Sequence, residues 1–405
     1  MFARLRRAKE EYPRQFWLLF WGMLISTIGS SMVWPFLMIY VSEKLQLPLS
    51  TVTTLMTVNA ISGLIFSFIA GPVADRVGRK RIMYISLISD GLAFLLLSQA
   101  ESYPAFMALM ALRGAINPLY RVGADAMMAD LVPPEKRPDA YSLLRMSNNI
   151  GISIGPSIGG FIAGVSYNLA FFIAAIGMVT YGVLVIVQAR ETLPKQQTQP
   201  QVEKFGGYGR VLSDWPFISF VLAFLLNTMV ASMIWVLLSV YAKQNYGVPE
   251  NQYGFIATTN ALMVVFLQFA VTQITKRHTP LPVMAIGALF YTVGGASIAL
   301  GTGFWGFWMS MVIMTIGELI VTPTGSTYAA NRAPADMRGR YMSIYGLTWS
   351  VASGIGPLLG GFLNDNIAPV AIWYGAGIIG LSSVLAFLVL ARQQRKTLAA
   401  SLQAD

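Results

Sequence analysis

Runs of about twenty apolar residues, separated by short polar connections, recur from one end of the chain to the other. At ~1.5 Å per residue such a run crosses a hydrocarbon layer ~30 Å thick, so each predicts a membrane-spanning helix. The predicted helices lie near 16–41, 51–70, 82–100, 105–130, 140–163 and 169–189, and then near 216–241, 251–271, 282–301, 305–330, 341–363 and 370–391.

The second six helices repeat the first at one fixed spacing. Thr27, Ser31, Met32, Trp34, Leu37 and Tyr40 match Thr228, Ser232, Met233, Trp235, Leu238 and Tyr241, each 201 positions later (228 − 27 = 201). Pro48, Asn59, Phe68 and Arg76 match Pro249, Asn260, Phe269 and Arg277, and Gly155-Pro156 matches Gly356-Pro357. Tryptophan, proline and asparagine matches in one register do not follow from apolar composition. The expected fold is therefore all-α: twelve transmembrane helices in two pseudo-symmetric six-helix bundles, 1–190 and 215–405. A polar linker at 191–214, rich in Gln, Pro, Gly and Lys, joins them. Repeats of this kind hold a substrate near mid-membrane between the halves, where rocking exposes it to each side in turn.

Composition narrows the class further. Only 11% of the 405 residues are charged and 55% are hydrophobic, against about a quarter charged in a soluble chain. The net charge of +10 would suit a nucleic acid if the basic residues formed a stripe. They sit instead in alternate connections, and the opposite connections hold only Lys44 and Lys243. That asymmetry is the positive-inside pattern; it excludes a nucleic-acid partner and places both termini in the cytoplasm of a cell whose inner membrane the chain spans. The first apolar run follows Arg4, Arg6, Arg7 and Lys9 but is too long for a signal-peptide core, so it is expected to remain as helix 1. With no cysteine and one histidine, His278, in a predicted loop, thiolate metal sites and Ser/His/Asp catalysis are not expected. Neither metal nor organic cofactor is called for. The partners expected are a small-molecule substrate, protons and the lipid bilayer, and a pathway inside one chain lets it work as a monomer.

Three segments carry a family resemblance. Gly71-Pro72-Val73-Ala74-Asp75-Arg76-Val77-Gly78-Arg79-Lys80-Arg81 lies between helices 2 and 3, Arg113 lies in helix 4, and Gly151-Ile152-Ser153-Ile154-Gly155-Pro156-Ser157-Ile158-Gly159-Gly160 lies in helix 5. Together they resemble the loop signature, membrane arginine and antiporter motif of the major facilitator superfamily, over essentially the whole chain. The likeness is strongest to its 12-helix drug:proton antiporters, including bacterial multidrug exporters, in which Gly317-Glu318-Leu319-Ile320-Val321-Thr322-Pro323 of helix 10 has a counterpart. The resemblance implies proton-coupled efflux, with substrate contacts from helices 1, 4, 7 and 10. The second half departs from the loop signature, with Lys276 where the first half has Asp75.

Physical roles follow for the gating residues. Gly71 is expected to let helix 2 approach a neighbour closely. Asp75 is placed to face the positive N-terminus of helix 11, an attraction of roughly 0.3–1 kcal/mol. Arg79 is placed to pair with Asp130, and Gly155 and Pro156 to give tight packing with a kink. A second reading, in which these charges only fix the loop, is open.

Charged residues inside spans cost about 2.5–3.5 kcal/mol each at mid-bilayer unless paired or wetted. Asp90 and Arg113 fall at heights differing by ~6 Å and are expected to pair, while Arg121 and Asp125 are four apart on one helix face. Glu318 is the one charged residue inside a span of the second half, with no cation at hand. Low dielectric favours its neutral form, which suits a proton carrier; the open alternative is a permanently protonated Glu318 bonded to Thr322. Asp125 and Asp90 are the further proton-coupling candidates. Candidate substrate-cavity residues are Trp34, Tyr40, Arg113, Tyr120, Trp235 and Tyr241, with Met32, Met38 and Met233 as adaptable lining. Trp17, Trp21, Trp305 and Trp308 near helix ends read as interfacial anchors. The favoured function is export of lipophilic or amphiphilic molecules; a facilitator of a sugar, siderophore or lysophospholipid is the alternative, and a membrane-embedded enzyme the remote one.

Overall fold

A computed structural model describes residues 12–193, 208–334 and 337–404. The basic N-terminal residues Arg4, Arg6, Arg7 and Lys9, and most of the expected 191–214 linker, lie outside that range. The described residues contain twelve long helices. The first six are α1 (Arg14–Leu45), α2 (Leu49–Val77), α3 (Arg79–Gln99), α4 (Tyr103–Leu131), α5 (Arg137–Ala163) and α6 (Tyr167–Gln188). After a six-residue helix, Tyr208–Ser213, come α7 (Trp215–Tyr246), α8 (Glu250–Thr275), α9 (Pro280–Ser297), α10 (Phe304–Arg332), α11 (Arg338–Asn366) and α12 (Ala371–Ala404). Ten are long and apolar enough to cross a membrane. The other two, α4 and α5, are 29 and 27 residues long and carry Arg113, Arg121, Asp125 and Arg145.

The helices outrun the apolar segments. α2 continues past 70 through Asp75 and Arg76, and α12 past 391 through Arg392 and Lys396. A helix satisfies its own backbone groups whatever its side chains, and Arg, Lys, Gln and Ala are good helix formers. Ends are set by local chemistry. Ser166 Oγ accepts the Leu169 N–H at 3.3 Å to start α6, and Gly247 in the left-handed region (φ 65°) ends α7.

The chain forms two compact units. The first comprises Met1–Leu47, Leu55–Thr198 and Pro249–Thr258; the second comprises Pro48–Thr54, Gln199–Val248 and Thr259–Asp405. Each unit thus holds the opening turns of one helix whose remainder belongs to the other. In the second, Asp365 of α11 accepts the Leu49 and Ser50 N–H groups at 3.2 and 2.7 Å, capping the first turn of α2.

The repeat seen in the sequence recurs in hydrogen bonds. In the first unit Ser31 Oγ of α1 donates to the Gly151 carbonyl of α5 at 2.9 Å; in the second, Ser232 Oγ of α7 donates to the Ala352 carbonyl of α11 at 2.8 Å. Gly155 and Gly356 sit against those hydroxyls, where a side chain at either would collide with Ser31 or Ser232. Small residues thereby bring α1 onto α5, and α7 onto α11, close enough for backbone and hydroxyl to bond across the pair.

Candidate functional site

Glu318 lies half-buried on α10. Gly317 beside it has no side chain because one would meet the backbone of Gly287 and Tyr291 on α9, so α9 and α10 meet backbone to backbone there. Pro323 cannot donate to the Leu319 carbonyl, and Gln268 Nε2 of α8 supplies that carbonyl with a hydrogen bond at 3.1 Å. About two turns earlier on α8, Asn260 Nδ2 donates to Glu318 Oε2 at 2.7 Å and to Thr315 Oγ1 at 3.0 Å. Thr315 Oγ1 in turn donates to the Met311 carbonyl at 2.7 Å. Among the described residues Glu318 is bonded to Asn260 and not to Thr322, its partner in the alternative reading. Among the described residues no ion pair reaches Glu318.

The first unit has the same frame with a different centre. Asn59, the repeat partner of Asn260, donates to the Met110 carbonyl at 3.0 Å, and Met110 is the repeat partner of Met311. The position matching Glu318 is Asn117 (318 − 201 = 117). The carboxyl group thus stands where the first half has a neutral amide.

Elsewhere in the first unit the expected pair is present. Arg113 Nε lies 2.7 Å from Asp90 Oδ1, and its guanidinium stands 3.9 Å over the Phe94 ring. Charge compensation within the helices thus occupies both residues. Arg121 and Asp125, four apart on α4, form no ion pair among the described residues, although the Arg121 charge acts on Asp125. On α4 the arginine precedes the aspartate, the poorer orientation for an (i, i+4) pair, and both side chains are exposed.

At the start of α3, Arg79 lies 3.3 Å from Asp75 and 3.2 Å from Asp130, as expected for the latter. Glu191 falls in the polar linker by composition, yet its carboxylate accepts the Arg79 and Lys80 N–H groups at 3.0 and 3.2 Å and so caps α3. Thr192 Oγ1 donates to Asp130 at 2.8 Å. Gly78 has φ 105°, and a side chain there would run into Glu191; the glycine is needed on both counts. Gly71 has nothing within 4 Å of where a side chain would begin, so the close approach expected there is absent.

In the second unit Asp214, at the start of α7, accepts from Arg332 at 2.9 and 3.4 Å, from Tyr341 at 2.9 Å and from the Phe217 N–H at 3.3 Å. Partial burial opposes the charged form, but these donors outweigh it and hold the Asp214 carboxyl below the usual carboxylate range. Nothing in the spacing of Asp214, Arg332 and Tyr341 along the chain marks them as partners.

The aromatic and methionine set divides. Trp34 and Trp235, repeat partners, are both half-buried, as is Tyr120, whose hydroxyl lies 3.4 Å from that of Tyr181. Tyr40 is buried among Phe106, Tyr167 and Phe171 and donates to the Ser98 carbonyl at 2.8 Å. Tyr241 is buried among Phe307, Trp373 and Tyr246. Met32, Met38 and Met233 are buried as well. Tyr40 and Tyr241 thus pack against aromatic rings of their own units rather than standing open to a cavity. Trp305 is exposed, as an interfacial anchor would be, whereas Trp308 Nε1 donates to Thr259 at 2.9 Å.

The sequence model of the Major Facilitator Superfamily matches residues 19–231 and again residues 220–404. The chain belongs to this superfamily. It is a membrane-spanning transporter and not an enzyme. A Na(+), Li(+), K(+)/H(+) antiporter of Planococcus maritimus is 27% identical over 395 residues, covering 88% of this chain and 90% of its own. The quinolone resistance protein NorA of Staphylococcus aureus is 25% identical over 378 residues, covering 92% and 96%. Among solved structures, a nucleoside transporter NupG superposes with a TM-score of 0.80 at 12% identity, over 93% of this chain and 100% of that one. A POT family transporter in complex with a thioalcohol conjugated peptide gives 0.76 at 18%, over 95% and 96%. At these identities the two structures show the fold alone.

Proposed function

We propose that this transporter exports lipophilic or amphiphilic small molecules in exchange for protons, by alternating access, with Glu318 carrying the proton and Asp125 as the second candidate. The observation that carries the reading is a carboxyl group inside a span whose direct partner is a neutral amide, Asn260, and not a cation. A carboxyl so placed changes charge at lower cost when its surroundings become wet than one locked to arginine, as Asp90 is. The names of the two relatives, a cation/proton antiporter and a quinolone resistance protein, support exchange and efflux respectively. The proton gradient is then the energy source with no cofactor, and the chain acts as a monomer in the inner membrane with both termini cytoplasmic. The test is dye accumulation in proteoliposomes with and without an imposed pH gradient. Gradient-dependent accumulation is expected; accumulation indifferent to the gradient contradicts proton coupling.

The name of the Planococcus relative favours a second reading, exchange of an alkali cation for protons. It predicts that adding Na(+), Li(+) or K(+) alone collapses an imposed pH gradient. Drug exchange predicts collapse only when the lipophilic compound is added.

A further inference from the structure

Polar side chains are exposed along the middle of two helices of the first unit: Asn117, Arg121 and Asp125 on α4, and Ser142, Arg145 and Asn149 on α5. On each helix they recur at three- or four-residue intervals and so share a face. A charged side chain against hydrocarbon costs about 2.5–3.5 kcal/mol, so these faces are wetted rather than lipid-facing. One turn of α1 sets the register of both helices. Ser26 stands beside Tyr120 of α4, and Thr27 Oγ1 donates to Asn148 Oδ1 of α5 at 3.1 Å. Arg121 follows Tyr120, and Arg145 stands three residues before Asn148. Measured from the short connection between α4 and α5, Arg121 lies ~15 Å and Arg145 ~12 Å along its helix, at one depth. Asp125 also acts electrostatically on Tyr141 of α5.

The other membrane arginine is neutralised, Arg113 by Asp90, and Arg137 is taken up by the Ala129 and Val132 carbonyls at the end of α4. Arg121 and Arg145 have no carboxylate within ion-pair distance among the described residues. We propose that Arg121 and Arg145 form a binding site for the anionic group, carboxylate or phosphate, of an amphiphilic substrate. Each guanidinium presents a planar fork of N–H donors that fits such an oxyanion, and Asn117 and Asn149 flank it with amides. Asp125, one turn along α4, offsets part of the positive charge while the site is empty. The assignment rests on the export reading and narrows it to amphiphiles with an acidic head.

The test is binding, which needs no gradient and so fails or succeeds apart from proton coupling. Full-length protein in phosphatidylcholine nanodiscs is titrated with 1-naphthylacetate and with its neutral amide. The carboxylate is expected to bind about ten-fold more tightly than the amide. Arg121→Gln and Arg145→Gln each abolish the preference without weakening the amide, and Arg121→Lys and Arg145→Lys retain part of it. Equal binding of the two compounds, undetectable binding of either, or an unchanged preference in both Gln variants overturns the site. Repeating the titration with phosphatidylglycerol in the nanodisc separates the sources of anion. Unchanged affinity supports a small-molecule substrate, whereas competition by the lipid assigns the arginines to a headgroup and overturns the substrate assignment.

Discussion

Asn260 donates its side-chain amide to Glu318 at 2.7 Å, joining α8 to α10 at the carboxyl group proposed to carry the proton. Asn260→Leu removes that donor and leaves an unpaired carboxyl group beside an apolar side chain. Gradient-driven transport is expected to fall about ten-fold, the worth of one charge-assisted bond. In a Glu318→Gln background, where gradient-driven transport is already lost, the same change is expected to leave gradient-free counterflow unaltered, because the two residues act as a unit. The check is the initial rate of both assays in the single and double variants; a loss of counterflow in the double variant would show that Asn260 acts elsewhere.

Asp90 and Arg113 form a buried pair, so removal of one partner leaves a bare charge. Asp90→Asn is expected to destabilise the protein by about 3–5 kcal/mol, and replacing both by apolar residues of similar volume to recover most of that. Thermal unfolding in detergent measures both.

The glycines separate packing from motif membership. Gly155→Val and Gly356→Val push a side chain into Ser31 and Ser232, and each is expected to cost about 1–3 kcal/mol. Gly71→Ala meets open space and leaves the melting temperature unchanged.

Asp214 gives a pH dependence outside the spans. Its carboxyl titrates lower folded than unfolded, so its contribution is full above about pH 4, the unfolded value, and is lost as pH falls through the lower folded value. Arg332→Gln removes the main donor. The variant should melt below the wild type at pH 7, and the gap should narrow as the pH falls below about 4. A gap constant with pH would place the effect of Arg332 in packing alone.

Much of this was legible in the sequence because it depends on period and height along a helix. Helix number, the repeat, the Asp90–Arg113 pair and the Arg79–Asp130 pair all follow from positions counted along the chain. What was not legible depends on which neighbour a face meets. Glu191 reads as linker because nothing local reveals that the chain after α6 returns to the start of α3. Tyr40 and Tyr241 have the composition of a binding wall but point into their own bundles. Arg121 and Asp125 have pair spacing, yet their order and exposure keep them apart. Asn260 was visible only as half of a repeat match with Asn59. Its importance lay in the position facing it, where Glu318 replaces the Asn117 of the first half.

The most direct measurement compares two assays on Glu318→Gln in proteoliposomes: dye accumulation driven by a pH gradient, and gradient-free counterflow of the same dye. Proton carriage by Glu318 predicts that the first is abolished while the second persists, since a permanently neutral side chain still permits substrate exchange. Gradient-driven accumulation equal to that of the wild type would contradict it.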